Sequence, residues 1–130
     1  MKTHALRLKP GQDLYNELKN QGRDFSAGAI LTCVGSLKTA FVRLAGGKDS
    51  EARSGPFEIT SLVGTLSKDG VHLHIALADS KGAMWGGHLQ PGSVIHTTAE
   101  IVIGEFEDLT FNREHDPLTG YNELRITNLR

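Results

Sequence analysis

Val71-His72-Leu73-His74-Ile75-Ala76-Leu77-Ala78 alternates in character from end to end. In an extended chain successive side chains point to opposite faces and rise ~3.3 Å per residue. Val71, Leu73, Ile75 and Leu77 therefore form one apolar row, and His72, His74, Ala76 and Ala78 line the other face. The segment reads as a strand with one face on a core. Its second face carries two imidazoles side by side among small neighbours, which leaves room for a bound species. Lys68-Asp69-Gly70 has the composition of a tight hairpin turn leading into this strand, and Asp79-Ser80-Lys81-Gly82 is a second turn behind it.

Working outward, β-type sequence predicts strands at 29–34, 37–44, 57–66, 94–106, 109–113 and 123–127. Residues 3–9 also alternate, with His4, Leu6 and Leu8 on one face, and Pro10-Gly11 ends the run. Helical spacing occurs once, at 13–21, where Leu14, Tyr15 and Leu18 share a side, Asp13 and Glu17 come early and Gly22 follows. Residues 45–56, with Gly46-Gly47 and several charges, read as a mobile loop. One main helix beside about six to seven strands in hairpin order predicts an α+β fold on a mostly antiparallel sheet, with residues 1–130 as a single domain. Few helices leave sheet faces and edges uncovered, so self-association into a homo-oligomer is expected.

Fourteen basic and fifteen acidic residues give a net charge of −1, with neither sign gathered into a run. That balance lacks the electrostatic footprint of a dedicated nucleic-acid binder. Arg113, Arg125 and Arg130, a C-terminal basic group, read as a solvated face. The one cysteine, Cys33, lies in the apolar run 29–34 and reads as a small buried hydrophobe. No apolar run approaches the ~18 residues of a membrane span, and no leader pattern opens the chain, so a cytoplasmic, membrane-free location is expected.

The chemistry centres on His72, His74 and a third histidine in Gly86-Gly87-His88. Glycines lack Cβ, so Gly86 and Gly87 would let the backbone deliver His88 against the strand and let a ligand approach. Zinc takes neutral imidazole nitrogens at about 2.0–2.1 Å, and three protein ligands leave a fourth position for water or an anion. The competing reading is three polar residues on a solvated face and in a loop. Ligation needs neutral imidazoles, so protonation near about pH 6 would release metal. If the site also joined subunits, acid would loosen the assembly.

Catalysis would need a proton acceptor as well. Glu100 and Glu58 are candidates because each sits in an apolar strand, where a charge needs a partner; a structural ion pair with Arg43 or Arg113 is the alternative. Arg113 is also a candidate for fixing an anionic substrate. Trp85 lines a pocket or simply packs, and the Asp79 carboxylate is expected to cap its own turn.

In order along the chain, Gly35-Ser36-Leu37, Gly55-Pro56-Phe57-Glu58-Ile59, His72-Leu73-His74 through Asp79, Gly82 and Gly86-Gly87-His88-Leu89, Thr97-Thr98-Ala99-Glu100-Ile101, and a closing set of Arg113, Asp116, Thr119-Gly120 and Leu124 resemble the plant-and-prokaryote-conserved (PPC) domain. The resemblance implies an α+β fold, a trimer and, in prokaryotic members, a histidine cluster able to hold zinc. It also implies a DNA-associated or regulatory setting. Plant members carry a short Arg-Gly-Arg arm for the DNA minor groove; this sequence holds none, and it has Pro56 where they commonly have arginine. A more distant similarity is to acetolactate decarboxylase, a zinc enzyme with a His-x-His pair and a third histidine. That similarity implies, as an alternative, zinc-dependent chemistry on a small carbonyl or carboxylate compound.

Overall fold

The computed structural model describes residues 1–129, so Arg130 of the C-terminal basic group lies outside the described residues. The chain runs β1 (Lys2–Leu8), α1 (Leu14–Gly22), β2 (Gly28–Arg43), β3 (Ser50–Ser67), β4 (Gly70–Ala78), β5 (Met84–Leu89), β6 (Val94–Glu105), β7 (Leu109–His115) and β8 (Asn122–Asn128). Six strands form an antiparallel sheet in the order β1-β6-β2-β3-β4-β5, and β7 with β8 forms a separate two-stranded sheet. Among the described residues, eight strands beside one short helix thus exceed the six or seven expected.

The alternation at 71–78 is realised as β4: Leu73, Ile75 and Leu77 are buried, while His74 on the opposite face is exposed. The two-residue turn Lys68-Asp69 joins β3 to β4, with Ser67 opposite Gly70. Asp79 caps its own turn as expected, its carboxylate accepting from the N–H groups of Lys81 and Ala83, each at 2.9 Å. At the start of α1, the Asp13 carboxylate accepts from Asn16 N–H at 3.0 Å and from Gly92 N–H at 2.7 Å, so one side chain caps the helix and ties it to the turn before β6. Leu14 and Leu18 are wholly buried, which seats the helix on the core made by Leu37, Leu66, Leu73, Leu77, Ile101 and Ile103.

Three expectations are corrected. The predicted strands at 29–34 and 37–44 are one strand, β2, whose pairing with β6 shifts register three times between Ile30 and Thr39; these bulges bend it without ending it. The predicted loop at 45–56 shrinks, because β3 starts at Ser50 and pairs its charged first residues with the end of β2. Gly86-Gly87-His88 lies in strand β5, where a loop was expected. That strand also returns to β2, pairing Val42 with Leu89 and Arg43 with His88, so β2, β3, β4 and β5 close on one another.

Cys33 is half-buried, and burial pushes its thiol up to about 11, which suits the packing role read from sequence.

Candidate metal centre

The three histidines meet because of strand register. His74 of β4 and His88 of β5 are direct cross-strand partners, and His72 lies two residues along β4 on the same face. Ring centroids are 5.0 Å apart for His72 and His74, 5.1 Å for His72 and His88, and 5.7 Å for His74 and His88. One nitrogen from each ring lies within 4.8 Å of the others. A tetrahedral set at ~2.1 Å needs nitrogens about 3.4 Å apart, so small ring rotations bring these to a common centre.

Gly86 and Gly87 act through close approach. A Cβ on Gly86 would stand 2.0 Å from the Ile75 carbonyl oxygen, and one on Gly87 would stand 2.6 Å from that of Arg43. Only bare backbone lets β5 fit between β4 and β2 and bring His88 opposite His74.

The donor set suits a metal. His88 Nδ1 is buried and has no hydrogen-bond partner, an uncommon state for a polar atom. Burial lowers the His88 pKa to about 4, with the Arg43 guanidinium and the other two imidazoles adding to the shift. His72 is lowered too, first by burial, then by His74 and Arg113, against an opposing pull from Glu123. Both rings are therefore neutral at pH 7, the form that ligates. Proton competition at these two rings is accordingly shifted below the pH near 6 that free imidazole suggests.

Two clefts, of about 400 and 570 Å³, flank the histidines and share Arg43, His72, His88 and Tyr121 in their walls. The smaller also takes Tyr15 and Lys19 from α1, Asp69 from the hairpin turn, and Arg113 and Glu123 from the β7–β8 hairpin. Asp69 fastens that hairpin: its carboxylate accepts from Arg113 N–H at 2.9 Å and from Asn112 Nδ2 at 3.3 Å, and these bonds hold its pKa below the usual carboxylate value. Arg113 Nη2 donates to Thr65 Oγ1 at 3.0 Å.

Of the catalytic candidates, Arg113 reaches the histidine cleft and the two glutamates do not. Glu58 and Glu100 are both exposed, so water solvates them and neither needs the ion pair expected with Arg43 or Arg113. Glu58 borders a different surface cleft beside His96, and Glu100 stands opposite Arg7 and Val34. Trp85 packs on Phe57 at 5.7 Å between ring centroids, beneath the Arg53 guanidinium, and its Nε1 donates to Glu51. Arg43, Tyr121 and Glu123 border the site and were not singled out as site residues from sequence. The one available signal was position: Arg43 ends a long strand, and the other two follow the Thr119-Gly120 turn.

A closed antiparallel sheet carrying three histidines on adjacent strands defines a small β-rich domain with a preformed donor cluster. The chain belongs to the family of the Plants and Prokaryotes Conserved (PCC) domain, which it matches over residues 1–107. The β7–β8 hairpin, with the closing residues from Arg113 to Leu124, falls beyond that match. The bifunctional protein GlmU of Synechococcus sp. (strain JA-3-3Ab) is 48% identical over 128 residues, 97% of this chain and 21% of the relative. The chain thus spans about a fifth of the length of the curated relatives it matches. Among solved structures, a hypothetical protein from Salmonella enterica has TM-score 0.93 and 43% identity, covering 98% of this chain and 94% of that one. A metal-containing protein from Archaeoglobus fulgidus has TM-score 0.78 and 24% identity, covering 96% and 94%. Chains from Bacteroides thetaiotaomicron and Ralstonia eutropha, described as candidate DNA-binding proteins, share the fold at 20% and 19% identity. Among the described residues, no helix is long and apolar enough to cross a membrane.

Proposed function

We propose that this domain is a homotrimeric metal-binding module in which His72, His74 and His88 hold zinc and leave one position open to a small ligand. The observation that carries the reading is the convergence of three imidazole nitrogens within 4.8 Å, one of the rings bearing a buried, unpartnered Nδ1. When bound, zinc would supply a Lewis-acid position facing the clefts. The chain's own part is to keep His72 and His88 neutral, to hold the three rings on adjacent strands, and to place Arg43 and Arg113 beside them. Exposed Leu31, Val34 and Val63 on β2 and β3 support self-association, since large apolar side chains on a sheet face favour a covering partner. A metal-containing protein of the same fold supports the metal half of the reading.

The test is cobalt substitution. Cobalt(II) in a four-coordinate nitrogen-rich site absorbs strongly in the visible. The parent should develop that band at one equivalent per chain, and His72→Ala/His74→Ala should not. A parent spectrum no different from aqueous cobalt would refute the site.

A second reading, zinc-assisted chemistry on a small carbonyl or carboxylate compound, is favoured by the presence of Arg113, Arg43 and Glu123 at the same cleft. A DNA-associated role draws on distant fold relatives alone, and a net charge of −1 gives it no electrostatic support. Retention on duplex DNA at low salt, falling steeply as salt is added, would be its signature.

A further inference from the structure

We infer that the cleft beside the histidines is a subsite for a small organic oxyanion, gripped by Arg43 and Arg113 with its anionic group turned toward the metal position. This rests on the metal reading above and adds the class of ligand. Arg43 is half-buried at the end of β2, directly opposite His88, and forms no ion pair with any carboxylate among the described residues. A cation withdrawn from water without a counter-charge is unfavourable, and an anionic ligand completes the arrangement.

Arg113 is built to receive the same group. Its backbone is fixed by Asp69, and its Nη2 is braced by Thr65 Oγ1. A guanidinium carries five N–H donors in a planar fork, so most remain for a ligand. Lys19 adds a third cation to the cleft wall. Two carboxylates oppose these three cations, and one of them, Asp69, is already occupied by Arg113 N–H and Asn112. The cleft volume of about 400 Å³ lies in the range of small-molecule sites. Tyr15 and Tyr121 border it, offering aromatic faces to the organic part of a ligand and hydroxyls to its polar end. Carboxylate and phosphate share the planar, bidentate recognition that arginine provides.

The experiment is calorimetric titration of the whole chain, zinc-loaded and metal-free, with lactate and with methyl phosphate. Parent, Arg43→Gln, Arg113→Gln and Arg43→Lys are compared, and zinc stoichiometry is measured on each. At least one probe should bind the parent, and the tighter one assigns carboxylate or phosphate. Each glutamine variant should bind it about tenfold or more weakly with zinc stoichiometry unchanged, and Arg43→Lys should recover part of the loss. Failure of both probes to bind, or parental affinity in both glutamine variants while zinc is still taken up, overturns the subsite and leaves the metal reading standing. Absence of zinc uptake with arginine-dependent binding to metal-free protein does the reverse.

Discussion

His74 and His88 stand directly opposite each other on β4 and β5, with ring centroids 5.7 Å apart. The register is what turns a His-x-His pair into a three-donor cluster. A slip of one residue in β5 would send the His88 ring to the opposite face of the sheet.

The register depends on Gly86 and Gly87. Gly86→Ala places a methyl group against the Ile75 carbonyl, where the nearest atoms are all β4 backbone and leave nothing flexible to yield. We expect a loss of about 2 kcal/mol or more in urea unfolding of metal-free protein, together with weakened zinc uptake. Unchanged stability and unchanged zinc affinity would show that β5 is free to move away from β4.

The pH dependence has a defined sign. His88 titrates at about 4 in the folded chain against 6.5 when unperturbed, and His72 is also lowered. Between these values the unfolded chain binds more protons than the folded one, so folded stability is fully present above 6.5 and declines as pH falls toward 4. Thermal unfolding of metal-free protein at pH 7, 6 and 5 should show Tm decreasing downward, and His88→Gln should flatten the trend. A parent Tm that rises on acidification would contradict the burial assigned to the ring.

Asp69 couples the β7–β8 hairpin to the site. Asp69→Ala removes the acceptor for Arg113 N–H and Asn112 Nδ2, so hydrogen exchange at the Arg113 amide should accelerate by about tenfold. Zinc uptake should persist, because none of the three clustered histidines comes from the hairpin. An unchanged exchange rate would place the hairpin's anchor elsewhere, at Phe111 and its backbone bond to Ser26.

Glu58→Gln and Glu100→Gln serve as remote substitutions. Both carboxylates are exposed and border neither histidine cleft, so zinc affinity should stay within about twofold and stability within about 0.5 kcal/mol of the parent. A tenfold loss of zinc in either variant would return these residues to the site.

What the sequence made legible follows the strength of its periodicity. Leu73, Ile75 and Leu77 announced β4 and its buried face, and Leu14, Tyr15 and Leu18 announced α1. The segment from Met84 to Leu89 was not legible as a strand because two of its six residues are glycines, which lower strand propensity; their purpose appears only when β2 and β4 stand beside them. Glu58 and Glu100 misled for a related reason. Apolar neighbours along a strand describe the opposite face, and the glutamates lie on the wet one. Arg43 and Arg113 are seventy residues apart in sequence, and the end of β2 and the separate hairpin are what bring both to His72.

The most direct test of the account is the metal content of untagged protein, purified without added zinc, for the parent and for His72→Ala/His74→Ala. Close to one zinc per chain is expected in the parent and none in the variant. No first-row metal in the parent, with no uptake when zinc is titrated in, would contradict it and leave the three histidines as polar residues on a sheet face.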